Sequence, residues 1–129
     1  MKIRIKGNSL RYRLTKTDVT RFVSEGYIEE TTSFGDQVLT YALQRTTGTE
    51  LTAHFNNNTI TMLMPAALAH EWQYTDIVGF ENQTHTLYLL VEKDFVCIDN
   101  VQEDQSDNYP NPNMDKCWGL TADRVLIKI

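Results

Sequence analysis

Two cysteines, three prolines and three histidines are all that 129 residues contain of these types, and each scarcity removes a class of protein. The two thiols, Cys97 and Cys117, are too few for the disulfide framework of a small secreted domain. They also fall short of any zinc-finger pattern, and in a reducing compartment they are expected as free thiols. Long apolar runs are missing as well. The richest, Met62 to Ala69, is far too short to cross a bilayer and is interrupted by Pro65. No apolar stretch follows the opening Met1-Lys2-Ile3-Arg4-Ile5-Lys6, as a secretory signal requires. The expectation is a cytoplasmic protein with no membrane contact, in which the sequons Asn57-Asn58-Thr59 and Asn82-Gln83-Thr84 stay bare.

The punctuation of catalysis is also lacking. No serine stands in a G-x-S-x-G context, and no glycine-rich loop opens a helix. His54, His70 and His85 are scattered. His70-Glu71 starts like a zinc-protease motif, but Tyr74 occupies the place of the second histidine. No internal repeat, linker or low-complexity tract is evident, and length and composition suit one domain over 1–129. No motif assigns a reaction or a cofactor, and none is predicted.

A general excess of positive charge is absent too. The formal net charge is −5, which argues against nucleic acid as a partner. The charge is nevertheless divided. Seven of the twelve basic residues (Lys2, Arg4, Lys6, Arg11, Arg13, Lys16, Arg21) lie in the first 21 positions, where Asp18 is the sole acid.

The residues that are present alternate. Positions 2–6 and 9–14 each read with period two, and Gly7-Asn8 between them is a hairpin signal. A two-residue loop there pairs Lys6 with Ser9, Ile5 with Leu10, Arg4 with Arg11, Ile3 with Tyr12 and Lys2 with Arg13. One face is then apolar, and the other carries two directly opposed cation pairs. Residues 15–25 predict a short helix, with Thr15 and Asp18 as a capping box, Leu14 stapled to Val19, and Gly26 as its stop. A second helix is expected over 65–72, with Pro65 in its first turn. Strands are expected at 27–34, 37–46, 50–56, 59–64, 77–81, 85–92, 94–99 and 123–128. The fold class is α+β and strand-rich: a mainly antiparallel sheet, curled over a helix or closed into a barrel, with one or two short helices. Trp72, Tyr74, Phe80 and Tyr88 are expected in core or edge packing. The segment 99–120 is a long acidic loop without periodicity, which Tyr109, Met114 and Trp118 are placed to pin.

Two constellations carry chemistry. Like charges opposed across a strand pair destabilise it by roughly 0.2–1 kcal/mol each. The hairpin face therefore reads as a site for an anionic small molecule or an acidic protein surface, using Arg4, Lys6, Arg11 and Arg13. The competing reading neutralises it internally through Glu29 and Glu30. The alternative function is a metal-assisted enzyme centred on the Cys97–Cys117 loop, with Cys97, Asp99, Asp107 and Cys117 as ligands and Glu103 and Asp104 nearby. Spacing argues against it, since there is no C-x-x-C or H-x-x-x-H pair and the carboxylates are not at EF-hand positions. Basic hairpin against acidic loop would also give a salt-sensitive homo-oligomer.

The opening Ile3-Arg4-Ile5-Lys6-Gly7-Asn8-Ser9-Leu10-Arg11-Tyr12-Arg13-Leu14-Thr15-Lys16 resembles that of a family of small bacterial proteins of unknown function. So do Val91-Glu92-Lys93-Asp94-Phe95-Val96-Cys97 and Glu103-Asp104-Gln105-Ser106-Asp107-Asn108-Tyr109-Pro110-Asn111-Pro112. That resemblance covers most of the chain, implies a bacterial origin and carries no activity. A basic first hairpin is also similar to that of the triphosphate tunnel enzymes, which open with Glu-x-Glu-x-Lys. Lys2-Ile3-Arg4-Ile5-Lys6 has no carboxylate, so the metal-binding half of that motif is missing.

Overall fold

Alternation at the start of the chain makes the first element. Lys2–Lys6 (β1) and Ser9–Leu14 (β2) form an antiparallel hairpin in the register expected, Lys2 facing Arg13, Ile3 facing Tyr12 and Arg4 facing Arg11. Gly7 takes φ of 53°, the left-handed backbone that a tight turn needs and glycine adopts without strain. The computed structural model describes residues 1–95, 107, 109 and 125–129.

Thr15 then caps α1 (Lys16–Glu25). Its side chain accepts from the Asp18 backbone N–H, and the Asp18 carboxylate accepts from the Thr15 N–H. Gly26 at φ 75° ends the helix, its N–H donating to the Phe22 carbonyl. Val19 and Phe22 on one face are fully buried with Leu14, so helical spacing becomes a core contact. Strands β3 (Tyr27–Ser33), β4 (Val38–Thr46), β5 (Thr52–Asn56) and β6 (Thr59–Pro65) follow. Next come α2 (Ala66–Trp72), β7 (Ile77–Thr84), β8 (Leu87–Lys93) and, near the end, β9 (Val125–Lys128).

The strands make two open sheets, β1-β2-β8-β7-β9 and β3-β4-β6-β5. Both are mixed. Hairpin partners are antiparallel, while β2 with β8, β4 with β6, and β7 with β9 run parallel. Neither sheet closes into a barrel. Period two identifies a half-buried strand but is silent on its neighbour's direction, which is why an antiparallel expectation met parallel seams. Between the sheets lies one core that includes Tyr12, Leu43, Met62, Trp72, Phe80 and Leu89. Trp72 and Phe80 meet edge to face at 5.4 Å. Tyr74, by contrast, is 75% exposed, with its ring edge-on to that of His70 at 5.9 Å. Strand β7 runs on to Thr84, so His85 is a turn residue at φ 49° and not the start of a strand. Asn8 fastens that turn, its side-chain amide donating to the Thr86 carbonyl and hydroxyl.

The chain does contain an internal repeat, contrary to its sequence. Hairpin, helix, hairpin (β1-β2, α1, β3-β4) is followed by hairpin, helix, hairpin (β5-β6, α2, β7-β8). Each sheet joins the first hairpin of one half to the second hairpin of the other. The register repeats as well. Thr52–Leu63, Ala53–Met62, His54–Thr61, Phe55–Ile60 and Asn56–Thr59 stand where Lys2–Arg13, Ile3–Tyr12, Arg4–Arg11, Ile5–Leu10 and Lys6–Ser9 stand. Apolar character is kept at the core positions and identity is not, which hides the repeat from direct reading.

Candidate functional site

Period two sends Lys2, Arg4 and Lys6 of β1 and Arg11 and Arg13 of β2 to one face of the first sheet. The parallel seam then lays β8 alongside, placing Leu90 beside Arg11 and Glu92 beside Arg13. A cleft of ≈ 410 Å³ opens here, lined by Lys2, Ile3, Arg4, Arg11, Arg13 and Tyr41.

Two of the cleft's cations are held by Glu92, near the end of β8, and Asp94, just past it. The Arg13 Nε donates to Glu92 Oε1 at 2.8 Å, with both side chains almost wholly buried. Lys2 Nζ lies 3.1 Å from Asp94 Oδ2. Burial pushes the Arg13 guanidinium down to about 10, with Arg11 adding to the shift and Glu92 and Asp94 opposing it. It therefore stays charged at neutral pH. The acids expected to do this work do not. Glu29 accepts from the Tyr27 hydroxyl at 2.7 Å, and Glu30 lies 3.2 Å from the Met1 ammonium, which also contacts Asp18 at 2.8 Å.

Arg4 and Arg11 differ from that pair. Arg11 Nε is 3.9 Å from Glu92 Oε1, at the limit of an ion pair, because that oxygen is already taken by Arg13. Arg4 is exposed, and no carboxylate among the described residues lies within ion-pair reach of it. Of the four cations nominated from sequence, then, Arg4 and Arg11 stand side by side in the cleft lining and Arg13 is engaged by Glu92. Lys6 is exposed near the hairpin turn and does not line the cleft.

Sequence reasoning missed Glu92, Asp94 and Tyr41. The first two had a signal: Glu92 and Asp94 are two positions apart and so share a strand face, ending an otherwise apolar strand. Tyr41 had none, because it arrives from the other sheet. Its ring lies 5.9 Å from that of Tyr12, and its hydroxyl donates to the Met1 carbonyl at 3.0 Å. Beyond the cleft, Tyr88 donates to Glu81 at 3.2 Å, and burial with that carboxylate pushes its phenol up to about 12.

The repeat supplies an internal comparison. Where the first half has Arg4–Arg11, the second has His54–Thr61. Where Arg13 meets Glu92, the equivalent seam has Leu63 beside Gln44. The same backbone is thus built once with these charges and once without them.

The metal candidates are less informative. Cys97, Asp99 and Cys117, with Glu103 and Asp104, lie outside the described residues. Asp107 lies within them and serves the start of α1, its carboxylate accepting from the Thr17 N–H and its carbonyl from the Lys16 N–H. Among the described residues no three of His, Cys, Asp and Glu gather as a metal ion requires. Of the residues expected to pin the acidic loop, Tyr109 packs against Phe95 at 5.9 Å and donates its N–H to the Asp94 carbonyl, whereas Met114 and Trp118 lie outside the description. Among the described residues no helix is long and apolar enough to cross a membrane.

No curated protein and no solved structure matches the chain. A family model does match, over residues 1–113, a span that takes in the hairpin, both helices, the arginine cleft and its two carboxylates. The chain belongs to the family of unknown function DUF7009.

Proposed function

We propose that the chain is a binding module that takes an anionic group between Arg4 and Arg11. One observation carries this reading. Arg4 and Arg11 are register partners in the wall of a cleft, while the other two cations that line it, Lys2 and Arg13, each have a carboxylate of their own. Arginine forks suit carboxylate and phosphate oxygens, and two forks on adjacent strands act on the same guest. The second half of the molecule strengthens the case, since His54–Thr61 fills the equivalent place. The fold does not need the charges; a ligand would.

The test is the double variant Arg4→Gln/Arg11→Gln. Removing an opposed like-charge pair should leave stability unchanged or raise it by up to about 1 kcal/mol. Binding of inorganic phosphate or of polyglutamate, whichever the parent protein takes, should be lost. A double variant that binds both probes as the parent does would refute the reading.

A further inference from the structure

We infer that the anionic group is a single tetrahedral dianion on an organic body, a phosphomonoester, an inference that rests on the anion-binding reading above. Charge and its placement come first. Arg4 and Arg11 bring two positive groups to one point of one strand pair, while Glu92 and Asp94 engage the neighbouring Arg13 and Lys2. A lone carboxylate brings one negative charge, and a dicarboxylate separates its two by a carbon chain. A phosphate ester carries up to two charges on three oxygens of one centre, which two forks grip together.

Shape comes second. At ≈ 410 Å³ the cleft is larger than a bare phosphate and falls in the range of small-ligand sites, roughly 300–1,000 Å³. Its remaining walls are Ile3 and Tyr41. The Tyr41 hydroxyl is spent on the Met1 carbonyl, so that side chain offers the cleft its ring. An apolar body attached to the phosphate fits these walls. Glu92 acts here as a positioning residue: fixed on Arg13 at 2.8 Å, it stands 3.9 Å behind Arg11 Nε and biases where that guanidinium points.

The experiment is calorimetric titration with phenyl phosphate, inorganic phosphate, sulfate, succinate and benzoate. Phenyl phosphate should bind about tenfold more tightly than inorganic phosphate, through burial of its ring. Its affinity should also rise about tenfold from about pH 5 to about pH 7.5, as the ester gains its second charge. Among the described residues, the charged and titratable groups around Arg4 and Arg11 are Lys2, Lys6 and Arg13 on the hairpin, Tyr88 and Glu92 on β8, Asp94 beyond it, Glu81 on β7 and Tyr41 on β4. Sulfate, doubly charged throughout, reports on all of them and should show a flat profile. A sulfate profile that rises in parallel would overturn the dianion inference, and so would succinate or benzoate binding as tightly as phenyl phosphate. Either result leaves the anion-binding reading standing; binding of none of the probes, polyglutamate included, removes both. Arg4→Lys should keep part of the affinity and Arg4→Gln very little, since charge survives in the first and the fork in neither.

Discussion

Arg13 and Glu92 meet from positions 79 residues apart in the chain, both deeply buried. Removing one member of such a pair leaves the other's charge desolvated, so Glu92→Gln should destabilise the protein by about 3 kcal/mol in urea denaturation. The equivalent seam in the other half suggests the rescue. Arg13→Leu combined with Glu92→Gln recreates the Leu63–Gln44 arrangement and should recover most of that loss while weakening the proposed phosphate binding. A second residue-scale effect lies at high pH. Burial pushes the phenols of Tyr88 and Tyr109 up to about 12, and those of Tyr12 and Tyr41 above their ordinary 10. Each raised phenol favours folding while it is neutral. That contribution is complete below pH 10 and is lost as pH climbs through the folded-state value near 12. The tyrosinate absorbance that these four phenols contribute should therefore rise together with loss of structure, not ahead of it.

At the scale of single elements the hairpin and α1 were legible to the residue, and the reason is local. Gly7-Asn8, Thr15, Asp18 and Gly26 each act on backbone groups within a few positions of themselves. Thr15→Ala should accordingly cost about 1 kcal/mol by thermal melting. Strand β7 was read too short because Asn82, Gln83 and Thr84 are polar, and what extends it is pairing with Tyr88 and Leu87. Within that pairing, Gly79 is the least forgiving position. A Cβ there would meet the Val91 carbonyl oxygen and come within 2.7 Å of the Glu92 Cα. Gly79→Ala should destabilise by about 3 kcal/mol and, by moving Glu92, weaken phosphate binding as well; denaturation and titration on the same sample would check both.

The whole molecule holds what sequence could not disclose. Core positions recur in matched pairs, Val19 with Ala69, Phe22 with Trp72, Leu14 with Met64, but none of these pairs shares a residue type. Half the candidate site was readable, since Arg4, Arg11 and Arg13 follow from hairpin arithmetic. The other half arrives across a parallel seam and from a second sheet, and no local pattern announces either. The interleaving makes a further prediction. A chain cut between Gly48 and Thr49 yields two fragments, neither of which contains a complete sheet. Each alone should lack cooperative unfolding by circular dichroism, and mixing them should restore it.

The same interleaving sets an order of events at the ribosome. The cationic ribbon is synthesised well before β8, which carries the carboxylate that fixes Arg13. Closing so distant a contact is slow, and until then the ribbon is an exposed, adhesive strip of positive charge on a nascent chain. Until Glu92 arrives, the ribbon lacks the buried carboxylate that holds Arg13 in the folded molecule.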